Sequence, residues 1–405
     1  MTDNPSSYDL DSARTFHEET TLQNWSDDPR LMHYSFLHMS EFFPHAIIHR
    51  NEPASELDEA LRDDIAGFQV DSTLGRTTLE RYVEAAPVNG VVIVEGGRIV
   101  FERYPRMRPF DKHLLMSVTK IFVSTIIGIM EDRGQIDVEQ GVQHYLPALE
   151  GSAWDGTSVL DVLDMASGIN CPEEGVPDAY SNPAQPYYHY EASLGWLAPT
   201  QDTSDTPYAY MPKLDRRIPT GQAFEYTSVN TFVLGWLAET ILEKTFNEIA
   251  TELLWSRIGA ESDALISVSR NANAPATHGG ISATLRDVAR LGLAFTPTGR
   301  AGKQGPVVSD WALDKILNHG RPDLFMEGTL GPKLTEELGE QPRHNTYQWD
   351  FVMHDGDFFK GGYGGQGLYI SPRKDMVVAF FGTPDDEGNE NQMTSVARQL
   401  CNADF

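Results

Sequence analysis

Ser117 and Lys120 stand three residues apart at the head of the apolar run 121–130. On a helical surface that spacing makes hydroxyl and amine neighbours. A serine hydroxyl is too weak an acid to attack a carbonyl unaided, but a neutral lysine in a desolvated pocket can take its proton. The spacing alone does not select this pair, because it recurs at Ser371-Pro372-Arg373-Lys374, where the proline and the flanking strand-like runs predict a turn. Context separates the two: turn-forming residues 108–112 precede Ser117, and Gly134 supplies a helix stop. A third group is Tyr226, in the segment 224–230 at the head of another apolar helix. A tyrosine whose pKa is lowered by a lysine ammonium can pass a proton to a leaving group. Tyr180-Ser181-Asn182 offers a competing tyrosine, but Pro183 follows it in an irregular stretch where nothing fixes its position.

These groups need elements to hold them. Residues 90–104 read as two strands joined by Gly96-Gly97, a hairpin that leads directly to the serine helix. Residues 31–48 read as a first packed segment, and 57–68 and 77–84 carry weak helical periodicity. Residues 158–168 have helical spacing, with Ser158 as N-cap and Gly168 as stop. From 171 to 219 the pattern fails and tyrosines accumulate, which predicts an aromatic wall of a cleft. Helical periodicity returns over 231–241, 246–258 and 282–295. A glycine-rich strand over 358–370, a buried strand over 376–382 and a closing helix over 391–400 complete the chain. Strands at both ends and helices between predict an α+β fold, an antiparallel sheet flanked by helices with an inserted all-helical region. The expected division is an extended or partly disordered arm over 1–30, a discontinuous sheet domain over 31–115 and 281–405, and a helical domain over 116–280.

Composition narrows the partners. The chain has 405 residues and a formal charge of −28, from 31 basic and 59 acidic side chains, with no basic patch. That disfavours nucleic acid, which needs clustered Lys and Arg, and suits either solubility or a saline habitat. Residues 1–28 lack the basic and apolar regions of a secretory signal, and the run 121–130 is too short to span a bilayer. A cytoplasmic protein without a membrane anchor is the expectation, and a homodimer stays open. Cys171 and Cys401 are expected to be free thiols, and no metal or organic cofactor is called for.

Four segments, 117–120, 158–168, 224–230 and 360–366, occur in the order and approximate spacing of serine hydrolases related to class C β-lactamases. The chain is most similar to the 6-aminohexanoate-dimer (nylon oligomer) hydrolases, whose nucleophile segment also reads His-Leu-Leu-Met-Ser-Val. The resemblance covers the chain from about residue 25 onward. It implies a β-lactamase/penicillin-binding-protein-like fold, a small-molecule substrate and a small linear amide as the bond cleaved. A carboxylesterase is the alternative within the family, and a non-catalytic binding protein the alternative outside it. It also implies roles. Ser117 resembles the acylating nucleophile, Lys120 its base and Tyr226 the proton shuttle. The backbone N–H groups of Ser117 and Tyr363 would form the oxyanion hole. Ser228 stands where lactamases carry asparagine and the nylon-oligomer branch serine. Lys360 and Gly362 occupy the place of the lactamase Lys-Thr-Gly strand, whose glycines let a substrate carbonyl approach. Glu191 falls where that branch carries a carboxylate for a substrate amine, and His278 at another cleft position. Trp349 is a further candidate for the cleft lining. Gly175 departs from the pattern, since it stands in place of a substrate-contacting tyrosine that one of the loop tyrosines would have to replace.

Overall fold

A computed structural model describes residues 8–50, 53–301 and 305–404. Its centre is a seven-stranded antiparallel sheet with the order Arg98–Arg103, Val88–Glu95, Met376–Gly382, Gln366–Ser371, Phe358–Gly362, Trp349–Val352, His344–Thr346. Both chain ends therefore contribute, as the sequence predicts. The Gly96-Gly97 turn has φ of 54° and 75°, the left-handed pair that a two-residue hairpin needs. The middle strands are apolar on both faces because both faces are covered. Along Val88–Glu95, Val91 and Ile93 join the cluster under helices Leu79–Ala85 and Met393–Asn402, whereas Val92 and Val94 join the cluster shared with the helical region. Helix Leu285–Leu293 packs on that second face so closely that a Cβ on Gly292 would lie 2.5 Å from Val377.

Helix Lys120–Asp132 is buried at every position from Lys120 to Met130, which marks it as the axis of the helical region. Helix Ser228–Leu242 packs along it, and Phe122 stacks on Trp255 with centroids 5.3 Å apart. Gly134, at φ 67°, ends it as read. A second sheet, in the order His45–Ile48, Ala264–Ser267, Ile281–Ala283, His113–Leu114, hands the chain to the nucleophile turn, and Leu115 N–H donates to Ile281 O at 2.8 Å.

Several expectations are corrected. Residues 8–30 are not an extended arm: Asp9 caps helix Leu10–Glu19 by accepting from Ser12 N at 2.8 Å, and Trp25 is buried against Trp196. Residues 1–7 lie outside the described residues. The helix expected over 158–168 is only Val159–Leu163; Ser158 does cap it, but Met165 turns left-handed at φ 57°. Gly168 serves a close approach instead, since a Cβ there would meet Ile218 O at 2.2 Å. Residues 281–283 form a strand, so the helix expected from 282 begins at Leu285. The helix expected over 246–258 passes into a π-helical turn at Thr251–Trp255, and 57–68 yields only Asp63–Ala66. Ser371-Pro372-Arg373-Lys374 is the turn between two strands, and the Ser371 hydroxyl donates to Asp357 at 2.6 Å. Strand Ala264–Ser267 lies inside the stretch expected to be all-helical. Among the described residues no helix is long and apolar enough to cross a membrane.

Candidate active site

Met116 holds φ at 46°, a left-handed backbone that non-glycine residues adopt only when their surroundings enforce it. It opens the short 3₁₀ turn Met116–Thr119, so Ser117 stands on a sharp corner immediately before helix Lys120–Asp132 rather than within it. The Lys120 side chain is fully buried. Its Nζ lies 2.9 Å from Ser117 Oγ, 3.0 Å from Ser228 Oγ and 2.8 Å from His278 O. Burial pushes its pKa down to about 7; the Lys360 ammonium adds to that, while Glu173, Asp350 and Glu191 work against it. The amine is thereby brought into a range where a large neutral fraction exists at neutral pH.

Tyr226 lies beside both lysines. Lys360 Nζ donates to its hydroxyl at 3.1 Å, and Lys120 and Lys360 lie 5.1 and 4.7 Å from its ring centroid. The expected lowering of its pKa is not found. Burial, with Asp350 and Glu173, raises the phenol well above its ordinary range, so Tyr226 rests protonated. Lys360 is fully buried on strand Phe358–Gly362 and pairs with Asp350, whose other oxygen accepts from Gly361 N at 2.8 Å. Gly362 brings that strand to the nucleophile: a Cβ there would lie 2.6 Å from Leu115 O and 3.1 Å from Ser117 N. Tyr363 follows, half exposed, its ring stacked at 6.3 Å on that of Tyr180.

Around these groups the chain closes two cavities that share Ser117, Glu173, Tyr180 and Tyr363. The first, about 320 Å³, is lined by Asp27, Glu173, Tyr187, Glu191, Trp196, Ser228 and His278, with no Lys or Arg among the described residues. The second, about 410 Å³, opens on Tyr226, Asp350, Lys333 and Glu390. Both sizes suit small molecules. In the first, Glu191 Oε1 accepts from Tyr187 Oη at 2.5 Å and bonds His278 Nε2 at 2.9 Å. A carboxylate only accepts, so Nε2 carries the hydrogen; in the neutral ring, Nδ1 then accepts from Tyr190 Oη at 2.8 Å.

The structure thus gathers Ser117, Lys120, Tyr226, Ser228, Glu191, His278, Lys360, Gly362 and Tyr363 about one cleft. Trp349 is not among the cleft's lining residues. It is 1% exposed and packs edge-on against Phe358 at 4.5 Å and Phe295 at 5.2 Å, as a large ring finds more contact in the core. Sequence reasoning missed Glu173, Asp350 and the placement of Tyr180. Glu173 accepts from Ser228 N–H, from Ser228 Oγ at 3.1 Å and from Tyr180 Oη at 3.1 Å. Nothing in the irregular stretch around it announces this. Asp350 was legible, because the hairpin register Phe351↔Phe359 puts the preceding residue opposite Lys360. Cys171 and Cys401 are buried free thiols, and among the described residues no His/Cys/Asp/Glu group is arranged to hold a metal.

Comparison with known proteins gives the family. A family model described as Beta-lactamase matches residues 76–400. A 6-aminohexanoate-dimer hydrolase of Paenarthrobacter ureafaciens is 31% identical over 371 residues, covering 89% of this chain and 87% of the relative. A solved Bacillus anthracis protein assigned as a 6-aminohexanoate-dimer hydrolase superposes with a TM-score of 0.77 at 24% identity, over 95% of both chains. A family VIII carboxylesterase shares the fold, with a TM-score of 0.53 at 16% identity over 77% of this chain and 92% of its own.

Proposed function

The chain belongs to the beta-lactamase family and is a serine hydrolase; from that premise we propose that it cleaves small linear amides whose acyl part ends in an ammonium group, through an acyl-enzyme on Ser117. The observation that carries the reading is the buried Lys120 amine, 2.9 Å from Ser117 Oγ and held near neutrality. Neutral Lys120 takes the serine proton as Oγ attacks the carbonyl. The N–H groups of Ser117 and Tyr363 receive the oxyanion, and Gly362 allows the substrate to come that close. Tyr226, resting protonated against Lys360, gives its proton to the departing amine. Water then releases the acyl group by the reverse path.

The acyl side of the substrate is read from the first cavity. Glu191 uses Oε1 for both of its protein contacts, leaving Oε2 with no donor among the described residues. With Asp27 in the same lining, the cavity favours a cationic chain end. The substrate that the name of the Paenarthrobacter relative states for that protein, a 6-aminohexanoate dimer, has this form.

The test offers 6-aminohexanoate dimer, p-nitrophenyl esters and nitrocefin side by side to the wild type, Ser117→Ala and Glu191→Gln. Turnover of the dimer is expected, with none in Ser117→Ala. In Glu191→Gln, KM for the dimer is expected to rise at least about tenfold, since a buried charge contact is worth more than about 1.4 kcal/mol, while uncharged esters are unaffected. Ester turnover without amide turnover would move the assignment to a carboxylesterase. Nitrocefin hydrolysis rivalling the others would overturn it.

A further inference from the structure

The Lys120 amine has three hydrogen-bonding neighbours, and their obligations differ. His278 O is a carbonyl and only accepts; it lies 2.8 Å from Nζ. Ser228 Oγ, at 3.0 Å, can accept or donate, but its own proton is committed to Glu173 Oε2 at 3.1 Å, so toward Nζ it accepts. Glu173 Oε1 meanwhile takes the Ser228 N–H, which fixes the carboxylate in this orientation, and Tyr180 Oη also donates to Oε2. A charged Lys120 spends its three protons on Ser228, His278 and Ser117. A neutral Lys120 has two N–H bonds and one lone pair. Two of its neighbours can only accept, so the lone pair is left facing Ser117 Oγ at 2.9 Å.

We propose that Glu173 is a positioning residue for the acylation step: by holding the Ser228 hydroxyl as a donor to itself, it makes Ser228 an acceptor toward Lys120 and so aims the amine's lone pair at Ser117. This rests on the acyl-enzyme reading above and deepens it. In the step so aimed, the Ser117 O–H bond breaks and its proton joins the Lys120 lone pair. The Oγ–carbonyl bond forms, and the carbonyl π pair moves to the oxygen held by the backbone N–H groups. Without an acceptor at Glu173, the Ser228 hydroxyl is free to turn and donate to the same lone pair, in competition with the nucleophile.

Glu173→Gln is the sharp perturbation. The amide oxygen must still face the Ser228 N–H, which turns the amide NH₂ toward Ser228 Oγ and reverses that hydroxyl. The readout is the second-order rate of Ser117 labelling by a fluorophosphonate, followed by intact mass. Fluoride leaves without a proton from Tyr226, so the rate reports the base alone. Glu173→Gln is expected to slow labelling about 100-fold, the low end of general-base contributions. Ser228→Ala, which removes the competing hydroxyl, is expected to slow it less than about tenfold, and the double variant to match Ser228→Ala alone. Glu173→Asp, which keeps the carboxylate, should stay within about tenfold of the wild type. Independent, multiplicative effects of the two single changes would overturn the proposal, and so would a Glu173→Asp variant as slow as Glu173→Gln. Thermal midpoints accompany each variant, and if Glu173→Gln does not fold, Glu173→Met with and without Ser228→Ala carries the same comparison. A wild type that is not labelled at Ser117 would instead sink the acyl-enzyme reading itself.

Discussion

Replacing Tyr226 by Phe removes one oxygen from the site and leaves nearly everything else in place. The ring still lies beside the Lys120 and Lys360 side chains, and Lys360, which loses its bond to the phenol, keeps Asp350. One hydrogen bond to a charged group is worth roughly 1.5–3 kcal/mol, and its loss is felt in full only when the charged partner is left stranded. Here the partner is not stranded, so a stability loss of about 1 kcal/mol or less is expected, read as a small shift in denaturant midpoint. The catalytic loss should be much larger and should depend on the leaving group. An amine must be protonated as it departs, and a positioned general acid supplies about 10²–10⁴ in rate, which is about 3–5 kcal/mol of barrier. A p-nitrophenoxide leaves without a proton. Steady-state kinetics on an amide and on its p-nitrophenyl ester, run on the same preparation, should show kcat for the amide falling at least about 100-fold and the acylation rate with the ester falling about tenfold or less. Equal losses on both substrates would refute the assignment of Tyr226 as the leaving-group acid.

Three further outcomes follow. The rate constant kcat/KM should rise tenfold per pH unit up to about 7 and then level off, because Lys120 must be neutral to act and its folded pKa is pushed down to about 7. Tyr226, raised well above the ordinary phenol range, gives no alkaline fall below about pH 10; a profile flat through pH 7 would count against Lys120 as base. Gly362→Ala should leave the fold intact but cut kcat about 100-fold, since its methyl would press on Leu115 O at 2.6 Å and drive the strand from Ser117; circular dichroism with kinetics checks both halves. Trp25→Ala should cost about 3–5 kcal/mol in a denaturant melt and raise KM, because the indole is 3% exposed, packs on Trp196 and donates to Trp196 O at 3.1 Å beside the first cavity.

The parts of the site legible in the sequence are those fixed by local chain geometry. The Ser117–Lys120 spacing, the Gly96-Gly97 turn and the Ser158 cap all act within a few residues of themselves. Glu173 could not be read, because its partners Ser228 and Tyr180 reach it only through the fold of an irregular stretch with no period to follow. Tyr180 is instructive. As text it resembled a misplaced motif; in the fold it lines both cavities, stacks on Tyr363 and shares the second cavity with Gly175. The pKa of Tyr226 departs from the expectation for a physical reason: a lysine ammonium would lower it, but burial, with the carboxylates of Asp350 and Glu173, raises it. The N-terminal helix was missed because residues 1–28 are polar overall, and Tyr8 and Phe16 pack on Tyr34 from only one face.

Ser117 is where the acyl group must reside during turnover. Turnover of 6-aminohexanoate dimer, quenched rapidly in acid and followed by intact-mass measurement and peptide mapping, addresses that directly. One aminohexanoyl adduct per chain is expected on the peptide that contains Ser117, absent in Ser117→Ala and slow to appear in Lys120→Ala. Hydrolysis of the amide with no adduct at Ser117, or undiminished turnover by Ser117→Ala, would contradict it.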